Sequence, residues 1–226
     1  MFKQKCVIYI NGEEVLITSI DPNTETDANT VLLKKALSLR EFISLIKSSD
    51  QSISTKYFCQ QAIKYEQTSN RIYLYLFSEP CKVDLKARVD GGIKEYKNAA
   101  FPGYIMRVEF DLSGRLYGSS IRVVKDCYSA YDIKDNMKTY IMPFPNVYSN
   151  SDNICWSSTL SGLEINLKNA NLLLNIFNTS VFNYDLFNPA LNKINHAIAG
   201  VNSLDSYFNY LTTVEEYPQE LYFESW

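Results

Sequence analysis

Cys155 is the side chain of this chain best placed to act as a nucleophile. It stands in a loop that opens with Pro143-Phe144-Pro145-Asn146-Val147-Tyr148 and closes with Ile154-Cys155-Trp156. A proline-fixed turn, a short polar stretch and a thiol between apolar neighbours form a loop suited to presenting that thiol. A thiol attacks only as the thiolate, so either its surroundings must activate it or its partner must already be activated. The nearest cations in sequence are Lys138 and Lys168, and the sole histidine, His196, lies far along the chain in Lys193-Ile-Asn-His-Ala-Ile. A protease-like Cys–His pair therefore lacks a nearby partner, and His196 is expected on the surface or at a helix end. Transthiolation asks for less. The incoming acyl group is already a thioester, and what helps is a polar donor for the oxyanion that forms at its carbonyl. Asn146, nine residues before Cys155, is the candidate donor. The plainer alternative is that Asn146 holds the turn through side-chain-to-backbone hydrogen bonds and that Cys155 is a small buried hydrophobe.

The elements that must position this loop read as a sheet followed by helices. Cys6–Ile10 and Val15–Ile20 flank Asn11-Gly12 as a hairpin. The polar run Asp21 to Asn29 reads as a loop. Ser38-Leu39-Arg40-Glu41 has the form of a capping box, opening a helix through Phe42, Leu45 and Ile46. Strands are expected at Arg71–Phe77, Lys82–Ala87, Gly103–Phe110, Arg115–Tyr117 and Ile121–Val124, with turns at Gly91-Gly92 and Ser113-Gly114. Beyond Cys155 the pattern becomes helical. Asn169 or Asn171 is expected to start a helix carrying Leu172, Leu173, Ile176 and Phe177, and Asn202 with Asp205 to cap a last helix through Leu211. The fold class is α+β, an antiparallel meander with helices after the cysteine loop. Residues 1–54 form an N-terminal hairpin and helix packed on a main domain of residues 55–226.

Composition sets the wider bounds. The chain has 226 residues, 46% hydrophobic and 21% charged, enough for a sizeable core. A net charge of −3 with scattered Lys and Arg gives no nucleic-acid footprint. Five separated cysteines (Cys6, Cys59, Cys81, Cys127, Cys155) suggest neither a disulfide framework nor a zinc site. No cofactor is implied. No run of about 18 apolar residues and no signal-peptide pattern is present, so the expected location is cytoplasmic, without a membrane. Asn178-Thr179-Ser180 fits a glycosylation sequon and reads as chance.

Phe144-Pro145-Asn146-Val147-Tyr148 with Ile154-Cys155 resembles the His-Pro-Asn-Val-Tyr … Val-Cys-Leu stretch of ubiquitin-conjugating (E2) enzymes. Phe101–Arg107, Gly114–Tyr117, Met142–Tyr148 and Phe177–Asp185 follow the block order of a prokaryotic branch, the E2-like family D or PRTRC-system protein B group. Together these blocks cover roughly residues 55–190. The resemblance implies a UBC-like domain in which Cys155 carries a ubiquitin-like modifier as a thioester and Asn146 supports it. Pro145, Phe144, Tyr148 and Trp156 would shape the site. It also implies a ThiF- or E1-like activating enzyme, a small β-grasp modifier and a JAB-type isopeptidase as partners. The pattern departs at Phe144, where E2 enzymes have histidine, at Trp156 in place of a small aliphatic, and in a loop that lacks the usual glycine. A lineage that kept the fold and lost the reaction would show such changes. The alternative is a non-catalytic interaction or assembly protein of a phage, plasmid or other mobile element, with structural protein partners and a place in a virion.

Overall fold

The computed structural model describes residues 5–11, 14–20, 31–38, 61–134, 136–156 and 160–224. The chain divides into two compact units. The first comprises Met1–Leu76, Glu109–Tyr117 and Ile165–Asn171, and the second comprises Phe77–Val108, Gly118–Glu164 and Leu172–Trp226. The fold is α+β, with mostly antiparallel strands and few helices.

In the first unit, strands β1 (Lys5–Asn11), β2 (Glu14–Ile20), β3 (Val31–Ser38), β4 (Ala62–Gln67) and β5 (Ile72–Ser78) lie in the order β5-β4-β1-β2-β3. The hairpin expected near the start is present, but Asn11 pairs with Glu14, so Asn11 belongs to the strand rather than to the turn. Ser38 ends β3 and pairs with Glu14. The helix expected after it lies outside the described residues. In β5 every second side chain turns inward: Ile72, Leu74 and Leu76 are buried, while Tyr73 and Tyr75 are half-exposed. Arg71 donates to Glu109 at 2.8 Å and stacks 3.8 Å above the Tyr117 ring.

The second unit carries the cysteine loop. Strands β6 (Cys81–Val89) and β7 (Gly92–Phe101) form a hairpin. Its turn is Asp90-Gly91, both at positive φ (49° and 79°), the type that matches strand twist. Gly92 is already paired with Val89, which corrects the expected Gly91-Gly92 turn by one residue. Strands β8 (Tyr104–Phe110) and β9 (Leu116–Val124) are neighbours, and the short β10 (Thr139–Tyr140) pairs with β9. The two strands expected at Arg115–Tyr117 and Ile121–Val124 are one, β9, because Gly118 to Ser120 continue it. The short β11 (Val181–Phe182) runs parallel to β6, so β11-β6-β7 is a separate sheet and the sheet is not one continuous meander.

Three helices complete this unit. Helix α1 (Leu172–Thr179) buries Leu173, Leu174 and Phe177 on one face, as its spacing dictates. Helix α2 (Asn188–Ala197) was not foreseen: its opening Asn188-Pro189 puts proline in the first turn, where no N–H is needed. Helix α3 (Leu204–Thr213) is capped by Ser203, not Asn202, because the Ser203 hydroxyl accepts the Ser206 N–H at 3.0 Å. Helix α3 lies on β7, where Tyr96 donates to Asp205 at 2.6 Å and meets the Phe208 ring edge-on at 5.3 Å.

Candidate functional site

The loop begins at Phe144, which is fully buried. Five aromatic rings surround it within this unit, from Phe101 at 4.7 Å between centroids to Tyr217 at 6.4 Å, with Phe182, Tyr207 and Phe208 between. Position 144 is therefore a core position. An imidazole there would lose its water with only rings and one phenol pair around it, which supplies a physical reason for phenylalanine. Its effect on the site is mechanical, since it fixes the chain immediately before the turn.

Pro145 and Asn146 form that turn. Proline sets φ for the second position, and Asn146 sits at φ +67°, a left-handed conformation that asparagine tolerates better than most residues. Asn146 does not hold the turn with its side chain. Among the described residues its amide has no hydrogen-bond partner, and its contribution to the loop is its carbonyl, which accepts the Cys155 N–H at 2.7 Å. That bond, with the Val147–Ile154 bridge, closes the loop and brings Asn146 beside Cys155. Both residues are half-buried.

The polar span between them is clamped. The Asp152 N–H donates to the Tyr148 carbonyl at 3.0 Å, and the Tyr148 N–H to the Asn153 carbonyl at 2.9 Å. Asp152, at φ 55°, takes up the bend that a glycine would otherwise make. Its carboxylate meets Arg122 of β9 at 2.7 Å, its carbonyl accepts the Ile121 N–H, and Ile154 donates to the Ser119 carbonyl at 3.0 Å. The loop is thus stitched along β9. Trp156 extends the attachment: its indole N–H donates to the Ser119 hydroxyl at 2.7 Å, and its ring meets Phe177 of α1 edge-on at 6.3 Å.

Tyr148 is exposed, and the neighbouring Cys155 thiol holds its phenol above its ordinary pKa. A phenol that keeps its proton can donate to a sulfur that gains negative charge. The structure thus brings together Asn146, Tyr148 and Cys155, with Pro145 and Phe144 beneath the turn and Trp156 as a brace. His196 stays apart from this arrangement in the last turn of α2, exposed, with Nδ1 2.5 Å from the Asn192 carbonyl oxygen. Ser119 and Arg122 were not foreseen, because their link to the loop spans some thirty residues and leaves no local pattern. Tyr148 was expected only to shape the site.

The other described cysteines differ. Cys127 is buried and donates to the Lys125 carbonyl, while Cys81 is exposed, and burial of the sulfur followed by Glu79 raises its thiol pKa. Among the described residues no three His, Cys, Asp or Glu side chains are grouped to hold a metal, and no helix is long and apolar enough to cross a membrane. Comparison with protein-family models, with curated proteins and with solved structures returned no match.

Proposed function

We propose that this protein is an E2-like carrier that holds a small ubiquitin-fold modifier as a thioester on Cys155. The observation that supports this reading best is the Asn146 amide, without a hydrogen-bond partner among the described residues, beside a half-buried Cys155 and fixed by the 2.7 Å bond between their backbones. In the reaction, the Cys155 sulfur attacks the thioester carbonyl on the activating enzyme. The activating enzyme's sulfur leaves and takes up the proton that Cys155 gives. The tetrahedral oxyanions formed in this step and again in discharge to an acceptor amine accept a hydrogen bond from the Asn146 amide. The Tyr148 phenol donates to the Cys155 sulfur when that sulfur becomes the leaving group in discharge.

The non-catalytic assembly reading draws on a different observation, the exposed rings of Tyr128 and Tyr131 at 60% and 74% exposure, which suit a partner surface. The two readings separate in one assay. The protein is incubated with its cognate activating enzyme, modifier and ATP, then run on a non-reducing gel. The carrier reading expects a thiol-sensitive adduct that Cys155→Ala abolishes. With Asn146→Ser the adduct still forms but discharges about 100-fold more slowly. An activating enzyme that is itself charged while no adduct forms would overturn the carrier reading.

A further inference from the structure

The C-terminal tail folds back on the second unit: Tyr217 and Leu221 are buried, and Phe223 accepts the Ile141 N–H at 2.9 Å. Between this tail, the start of β6, the end of β7 and the segment after β9 lies a pocket of about 180 Å³. Its lining is divided by chemistry. Pro80, Ala100, Phe101 and Tyr217 supply an apolar floor, with Phe101 and Tyr217 almost wholly removed from solvent. Asp126, Glu215 and Glu216 stand at the exposed rim with Tyr128.

The charge is unbalanced. Three carboxylates face one lining ammonium, Lys82, which donates to the Val214 carbonyl and lies 4.0 Å from Glu215. Lys82 thus engages one carboxylate. Asp126 and Glu216 have no ion-pair partner among the described residues. Tyr222 stands beside these carboxylates. Its hydroxyl is pushed up to about 12, first by burial and then by negative charge that includes Asp126 and Glu216. The ring already draws one cation of the chain, since the Lys125 ammonium sits 5.6 Å from its centroid.

An apolar floor below an acidic, aromatic rim complements a cation carried on a short alkyl arm. A pocket of this volume admits a butylammonium-sized group. The geometry points to an alkylammonium-binding pocket, with the arm on Phe101 and Tyr217 and the ammonium between Asp126 and Glu216. A lysine side chain of a partner peptide or a free primary amine has this chemistry. The pocket uses none of the Cys155 loop's polar groups and stands whether or not Cys155 carries a thioester.

The test is a titration of the full ¹⁵N-labelled chain, followed by amide shifts, with n-butylammonium and with neutral 1-butanol. A lysine peptide, acetylated at its N-terminus only, and its norleucine counterpart form a second pair. Both cations are expected to move the Asp126, Glu216 and Tyr222 amides, with each neutral ligand at least about tenfold weaker. In the double variant Asp126→Asn, Glu216→Gln the cation affinity falls about tenfold while the remaining spectrum is unchanged. A lysine peptide that binds tighter than butylammonium assigns the site to a peptide partner, and equal affinity assigns it to a free amine. Neutral ligands that bind as well as cations, a double variant that keeps its affinity, or no shifts at tens of millimolar would each overturn the proposal.

Discussion

The Asn146–Cys155 loop and the tail pocket are built on the same rings, yet they present opposite chemistry. Phe101 packs on Phe144 beneath the loop and also floors the pocket, and Tyr217 does the same from the tail. In the loop, backbone hydrogen bonds and the Arg122–Asp152 pair fix the chain and set the Asn146 amide and the Tyr148 phenol beside the thiol. In the pocket, by contrast, the rim keeps two carboxylates with no ion-pair partner among the described residues. A shared core can thus support two surfaces whose functions depend on different side chains. Core substitutions are expected to harm both, and rim substitutions only one.

The largest effect belongs to the shared core. Phe144→Ala should cost about 3–5 kcal/mol of stability and weaken both surfaces, as denaturant unfolding would show. Phe144→His should also destabilise, by an amount that grows as pH falls and the imidazole charges. Unchanged stability in either variant would remove the ring cluster as the common support.

High pH probes the same core. Burial raises the Tyr207 and Tyr217 phenols, which share a 3.2 Å contact, above their ordinary values. A phenol raised in the folded state contributes fully below the unfolded value of about 10, and that contribution is lost as pH climbs towards the folded value. Stability measured by urea unfolding should be flat from pH 8 to about 10 and then fall. Tyr207→Phe should make the fall shallower, and an equally steep fall in that variant would contradict the assignment.

The loop alone responds to smaller changes. Asn146→Ala places a Cβ-bearing residue without asparagine's tolerance at φ +67° and should cost about 1–2 kcal/mol. Asn146→Gly should be close to neutral in thermal melts, since glycine takes that conformation freely. Both remove the amide, so both should slow discharge alike, which separates turn geometry from chemistry. The smallest effect is that of Arg122→Met, at about 0.2–1 kcal/mol. Its clearer sign would be faster amide exchange at Asp152 and Ile154, with the tail pocket unaffected.

Much of the fold was legible in local pattern. The alternation in Arg71–Phe77 and Gly103–Phe110 located β5 and β8, and the i, i+4 spacing of Leu173 and Phe177 located α1. Helix α2 was missed because its apolar positions are sparse between Asn188 and Ala197, and β3 because its Lys34-Lys35 pair interrupts the alternation. The separate β11-β6-β7 sheet depends on a two-residue parallel pairing nearly a hundred residues apart, which local reading does not reach. For the site, the Pro145-Asn146 turn and Cys155 were readable as a thiol-presenting loop. That Phe144 is a core residue and that Ser119 and Arg122 hold the loop follows only from the tertiary structure.

The most direct measurement is of acyl transfer to individual thiols of the one chain. The protein is exposed to a glycyl thioester of a small thiol at neutral pH, and peptide mass spectrometry follows acylation at Cys155 and Cys81. Cys81 is the more exposed residue, but burial of its sulfur raises its thiol pKa, so the Asn146→Gly variant is the deciding arm. The account predicts that Cys155 is acylated faster than Cys81 and that Asn146→Gly removes the advantage without altering Cys81. Acylation at Cys155 no faster than at Cys81 would contradict it.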